Sequence, residues 1–176
     1  MKHIIGNHEL RQGEATEPGD LVVFSNDGER AIGFIMELDD DKQPLVAVLE
    51  SNFGLPRLLR LAHDKQCVSL GKDWAMGPVE DKAATPGRFE VGRRAGVLVL
   101  SKTGWLMNFA VSGRDGFGRF NWVWVDLASY ARVEKTVERG VVFASWQLWA
   151  HKADADLPGR KPFLEYTAQM QSAPRS

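Results

Sequence analysis

Between residues 21 and 150 the chain repeats one pattern, a short run of β-branched, aromatic and aliphatic residues closed by a turn signal of Gly, Asn, Asp or Pro. Such runs favour strands over helices, because branched and aromatic side chains fit a pleated surface and lose rotamer freedom in a helix. LVVFS (21–25) leads through Asn26-Asp27-Gly28 into RAIGFIMEL (30–38), which reads as a hairpin. After the acidic loop DDDKQP comes LVAVLE (45–50), whose consecutive apolar residues imply a strand covered on both faces. PRLLRLA, the turn HDKQ and CVSLG complete a five-strand set ending near Gly71, although LPRLLRLA also fits one or two helical turns.

A second set begins at GVLVLS (96–101), turns at Lys102-Thr103-Gly104, and continues through WLMNFAVS, FNWVWVDL, YARVEKTV and VVFASWQLWA. The two sets superpose without gaps at an offset of 76, so that Val23, Ser25, Gly28, Asp39 and Ser69 fall on Val99, Ser101, Gly104, Asp115 and Ser145. The expected fold is therefore all-β and mainly antiparallel, two packed five-strand units whose agreement fits either a duplication or two independent meanders, since strand and hairpin lengths cluster tightly. Each unit has the size of an SH3-like small barrel, and PGDLVVFSNDGERAIGFIMEL resembles such barrels in its Gly-Asp start and Gly-Phe-Ile second strand. The resemblance is architectural and implies no particular function. The expected boundaries are a first unit over 1–73, a Pro/Gly-broken linker over 74–95, a second unit over 96–150 and an extension over 151–176. In that extension Pro162 suits a first helical turn and Phe163, Tyr166 and Met170 can share a face, which predicts a short helix before a frayed tail.

Composition narrows the function classes. The 44% hydrophobic and 26% charged content is that of a folding globular chain. No apolar run reaches the roughly 18 to 20 residues that span a bilayer, and MKHIIGNHEL has too short an apolar stretch for a signal peptide, so a cytoplasmic protein without membrane attachment is expected. One cysteine, Cys67, precludes an intrachain disulfide and a thiolate-rich metal site. The net charge of -1 conceals a split, with 8 Lys and Arg against 13 Asp and Glu in residues 1–75 and 14 against 10 thereafter. A small positive excess in the second half is far from the strongly basic footprint that phosphate neutralisation requires.

The segment GRDGFGRFNWVWV (113–125) carries the densest candidate chemistry. Its stretch from Asp115 to Trp122 resembles the RNP1 strand of RNA-recognition motifs, matching at Gly116, Phe117, Gly118 and Trp122 and departing at Asp115 and Arg119. The resemblance implies base stacking by the alternate aromatics. The competing reading makes SGRDGFG a hairpin tip between the arms WLMNFAV and RFNWVWV. If the register places the two alternate-residue sets together, Trp105, Met107, Phe109, Val111, Phe120, Trp122 and Trp124 form one aromatic face too large to leave bare, to be covered by the other half of the chain, a second copy of the protein or a partner. Arg114 and Arg119 at the loop could accept an acidic or phosphorylated ligand.

Elsewhere the chemistry is thin. His3 and His8 lie five apart, fitting neither helical nor strand ligand spacing, and no metal site is expected. His63 and Cys67 flank a turn, but Cys67 in CVSL reads as a small buried hydrophobe rather than a nucleophile. Ser101, Ser112 and Ser145 sit in no nucleophile elbow, and Asp39, Asp40 and Asp41 lack the downstream glutamate of an EF-hand loop. The expectation is a non-catalytic protein without cofactor, binding a peptide, a protein or a second copy of itself through an aromatic groove made of Trp105, Arg114, Phe117, Arg119, Trp122 and Trp124. Two alternatives stand beside it. One is nucleic-acid binding, with Trp105, Phe117 and Trp122 on bases and Arg93, Arg94, Arg114 and Arg119 on phosphates. The other is a small enzyme with a cleft between the units.

Overall fold

The computed structural model describes residues 17–26, 28–38, 44–51, 54–61, 67–79, 85–87, 95–114, 120–133 and 140–168. The first set of runs becomes β1 (Leu21–Asn26), β2 (Glu29–Leu38), β3 (Pro44–Glu50), β4 (Arg57–Arg60) and β5 (Cys67–Gly71). Two short strands follow, β6 (Ala75–Pro78) and β7 (Thr85–Gly87). The second set becomes β8 (Leu98–Ser101), β9 (Gly104–Arg114), β10 (Phe120–Asp126), β11 (Arg132–Val133) and β12 (Gly140–Phe143), and the chain ends with β13 (Ser145–Trp149), α1 (Lys152–Ala155) and β14 (Leu164–Thr167). All-β architecture with mainly antiparallel sheets is thus as the sequence pattern requires.

One sheet of eleven strands carries both sets, and a second of three strands has the order β14-β13-β6. In the large sheet the first half runs β5-β1-β2-β3-β4. The second half pairs β12 with β8, β8 with β9, β9 with β10 and β10 with β11. A parallel contact joins them where Arg57 of β4 lies opposite Ala110 of β9, beside a hydrogen bond from the Ala110 amide to the Pro56 carbonyl (2.9 Å).

The alternation of side chains along each strand sends every second residue to a different core. Ile32, Phe34 and Met36 of β2, Ala47 and Leu49 of β3, Leu98 of β8, Met107 and Phe109 of β9 and Val125 of β10 meet in one central cluster, closed by Trp146, Leu148 and Leu164 of the small sheet. The opposite faces make two private clusters, one from Val22, Phe24, Ala31, Ile35, Val46, Val48 and Leu61, the other from Val97, Val99, Leu106, Trp124 and Ala168. The run Val46 to Leu49 is buried throughout because β3 serves a private core with two of its residues and the central core with the other two.

Four expectations change. The sheet is open rather than closed into barrels: among the described residues β4 does not pair with β5, nor β11 with β12, and β4 joins β9 instead. LPRLLRLA supplies strand β4, not a helical turn, because β3 offers a register from Leu45 opposite Arg60 to Val48 opposite Arg57. Residues 75–78, read as linker, form β6 against β13. The helix expected over 163–170 is replaced by β14: Leu164 and Tyr166 alternate with exposed Glu165 and Thr167, and pairing of Ser145 with Thr167 through Leu148 with Leu164 outcompetes a helix too short to stand alone. The one helix among the described residues is the four-residue α1.

Candidate functional site

The β9–β10 register decides the fate of the aromatic face. Trp124 lies opposite Asn108, Trp122 opposite Ala110 and Val125 opposite Met107. Residues directly opposite share a face, so Trp122 and Trp124 point away from Trp105, Met107 and Phe109. The aromatics are thus divided between two faces rather than gathered on one. Trp124 is only 8% exposed, packed in the second private core with Val97, Val99 and Leu106. Trp122 is half-buried on the same face.

Trp105 lies at the rim of the central core, half-buried, its ring centroid 5.6 Å from that of Phe143. Leu100 pairs with both Trp105 and Val141, so the row Val141–Leu100–Trp105 runs across three strands, and Leu100 is 40% exposed. Arg114 ends β9, nine positions from Trp105 or about 30 Å along an extended strand, so these two expected groove residues fall in separate places. Phe117 and Arg119 lie outside the described residues, as do Arg93 and Arg94, and of Arg114 only the backbone pairing with Phe120 is described.

A second aromatic group gathers around Phe34. Trp74 stacks on it (5.6 Å, 23°), Phe109 meets it edge-on (6.0 Å, 80°), and Tyr130 tilts against it (5.7 Å) and against Trp74 (6.1 Å). At these separations the rings touch one another, which leaves no cation-sized gap for an aromatic cage. Tyr130 sits in the left-handed region at φ 58°. Its turn is built by Asp126, whose Oδ1 accepts from the amides of Ala128 (2.7 Å) and Ser129 (3.2 Å) while its carbonyl accepts from the Tyr130 amide (2.8 Å). The ring is thereby laid on Gly19, where an added Cβ would stand 2.4 Å from Tyr130 Cε2. The Trp74 indole N–H donates to the Gly19 carbonyl at 2.8 Å.

The same construction occurs again. The Trp146 indole N–H donates to the Gly96 carbonyl at 2.8 Å, Trp146 stacks on Tyr166 (5.0 Å, 23°), and a Cβ at Gly96 would stand 2.4 Å from Tyr166 Cε1. The Tyr166 hydroxyl donates to the Ala95 carbonyl (3.3 Å), and burial pushes its pKa up to about 12.

Electrostatically the described residues are quiet. Lys72 and Glu17 form an exposed pair at 2.6 Å; the hydrogen bond and charge of Lys72 hold the Glu17 carboxyl below its usual range, and Glu17 in turn raises the Lys72 ammonium. Burial, reinforced by the charge of Asp20, pushes the Cys67 thiol up to about 11. That direction opposes nucleophilic use, since the thiolate is the reactive form. His151 lies 4.0 Å from Asp73 at an exposed position, whereas His3, His8, His63 and Asp39 to Asp41 lie outside the described residues. Among the described residues no group of three or more His, Cys, Asp or Glu side chains is arranged to hold a metal ion, and no helix is long and apolar enough to cross a membrane.

Comparison with protein-family models, with curated proteins and with solved structures finds no match. Sequence reasoning missed Phe34, Trp74, Tyr130, Trp146 and Tyr166 as an interacting set. The available signal was a glycine just before each set's first strand, Gly19 and Gly96, and a tryptophan three residues beyond the end of the fifth, Trp74 and Trp146. An ungapped offset cannot align both pairs.

Proposed function

We propose that this protein is a non-catalytic binding protein that engages a peptide, a protein or a second copy of itself through Trp105 and its apolar neighbours. The observation that carries the reading is the row Val141–Leu100–Trp105, which continues the central core outward to a leucine 40% exposed. A large aromatic with a half-open flank supplies contact area at low entropy cost, which is why tryptophan is enriched at interfaces. Arg114 and Trp122 of the β9–β10 hairpin, with Phe117 and Arg119 from the sequence between them, belong to the proposal as a second contact region. Trp124, packed in a private core, supports that hairpin from beneath. A cytoplasmic location is proposed with it, on the single cysteine and the lack of a long apolar run in the sequence.

The test combines sedimentation equilibrium across a concentration series with selection from a displayed peptide library, for the native chain and for Leu100→Asp. The reading expects self-association or peptide capture that Leu100→Asp abolishes while the melting temperature stays within about 4 °C, as a surface substitution should. Neither self-association nor selected peptides, or binding indifferent to Leu100→Asp, would overturn it.

A further inference from the structure

The two halves agree beyond strand order. Both first hairpins have two-residue turns, Asn26 opposite Glu29 and Ser101 opposite Gly104. In the next hairpins Gly33, Phe34 and Ile35 lie opposite Val48, Ala47 and Val46, while Asn108, Phe109 and Ala110 lie opposite Trp124, Val123 and Trp122. Phe34 thus corresponds to Phe109, and both are fully buried in the central cluster. The turn after β3 places Gly54 at φ 82°, and the turn after β10 places Tyr130 at φ 58° at the corresponding position.

Several contacts between the halves lie where an approximate two-fold axis would put them. Phe34 and Phe109, corresponding residues, touch each other at 6.0 Å, as a residue near such an axis must. β6, which follows Trp74, and β13, which contains Trp146, pair antiparallel with Met76 opposite Leu148, each two residues beyond its tryptophan. Each half reaches the other near the start of its first strand, Gly19 packing against Tyr130 from the β10–β11 turn and Gly96 against Pro56 from beside the β3–β4 turn, although the parallel β4–β9 contact has no β11–β2 counterpart among the described residues. The private clusters also correspond, with Val22, Phe24, Ala31 and Val48 in one and Val97, Val99, Leu106 and Trp124 in the other. Phenylalanine exchanged for valine in one strand is offset by valine exchanged for tryptophan in another, so each core is filled differently at the same strand positions.

We infer that the chain is a fused pair of one six-stranded unit, and that its central core is the self-complementary interface of that unit, fastened on each side by an indole-to-glycine-carbonyl hydrogen bond. The kind of partner this surface fits is a copy of the unit itself, already supplied by the chain. The inference is independent of the binding reading at Trp105. It corrects the ungapped alignment at 76, because the correspondence shifts along the chain and includes a sixth strand that the sequence pattern left in the linker.

A two-fold axis makes crossed distances equal, and this can be measured in the full chain. Ser25 corresponds to Leu100 and Glu50 to Asp126. In a Cys67→Ser background, spin labels are placed on Ser25→Cys with Asp126→Cys, and separately on Leu100→Cys with Glu50→Cys. Pulsed dipolar spectroscopy should give peak distances that agree within about 5 Å, one strand spacing. A larger difference would overturn the inference and leave two unrelated meanders in one irregular domain. Should Asp126→Cys unfold the chain, Leu127→Cys and Ser51→Cys take the places of Asp126→Cys and Glu50→Cys, with the same criterion.

Discussion

Trp146→Phe and Trp74→Phe remove the same hydrogen bond from two different surroundings, and the structure predicts unequal costs. Both indoles donate to a glycine carbonyl at 2.8 Å. Trp146 is fully buried, whereas Trp74 is half-exposed. In Trp146→Phe the Gly96 carbonyl is left without its donor inside the core, which costs about 1–3 kcal/mol. The lost part of the indole leaves a void whose cost, bounded by the roughly 3–5 kcal/mol of complete truncation, adds about 1 kcal/mol. The sum is about 2–4 kcal/mol, a fall in melting temperature of roughly 5–15 °C for a chain of this length. In Trp74→Phe water can reach the Gly19 carbonyl and the smaller ring still stacks on Phe34, so the loss is the net worth of one hydrogen bond, about 0.5–1.5 kcal/mol or roughly 1–6 °C. Chemical denaturation followed by far-ultraviolet circular dichroism, with the urea slope checked for constancy, measures both. Equal losses, or a larger loss at Trp74, would refute the argument that burial rather than bond geometry sets the value.

Other substitutions probe separate parts of the fold. Gly33→Ala should destabilise the chain by about 1–3 kcal/mol, because a Cβ there would stand 2.5 Å from the Ala47 carbonyl oxygen and 3.0 Å from Val48 Cα, both backbone atoms that cannot step aside; thermal melting reads it. Asp20→Asn should lower the Cys67 pKa from about 11 and speed alkylation by iodoacetamide at pH 8 to 9, with burial still keeping the rate below that of a free thiol. Stability should fall as the solution is made alkaline, since Cys67 and Tyr166 release protons in the unfolded chain near their ordinary 9.0 and 10.0 but in the fold only near 11 and 12; Cys67→Ser should remove the earlier part of the loss in a pH series of denaturation curves. Lys72→Met should return the Glu17 carboxyl upward towards its ordinary 4.5 in a carbon-detected NMR titration; in the native chain the benefit of the pair is present at neutral pH and disappears as pH falls through the lowered value.

The strands were largely legible because their information is local. A two-residue turn after LVVFS, or a run such as LVAVLE, specifies hairpins and two-sided burial through the turn geometry and the period of two that the chain itself carries. The arrangement of the candidate site was less legible for a reason that also lies in the period of two. Whether Trp122 and Trp124 join Trp105 or oppose it depends on a one-residue choice of register across a glycine-rich loop, and composition says nothing about that choice. FLEYT likewise satisfies a helical spacing as well as a strand alternation, and only the exposed edge of β13 decides between them.

By itself the sequence determined the all-β class, the two sets of strands and the order of their hairpins. Only the tertiary structure decided that the sheet stays open, that Trp74 leaves the linker to bind the Gly19 carbonyl, and that Trp146 does the same at Gly96. These bonds join residues 55 and 50 positions apart, and a glycine carbonyl gives no sign in sequence of the donor it will meet. A hydrogen bond of that separation is selected by packing of whole faces, whereas a turn is selected by the dihedral angles of its own residues.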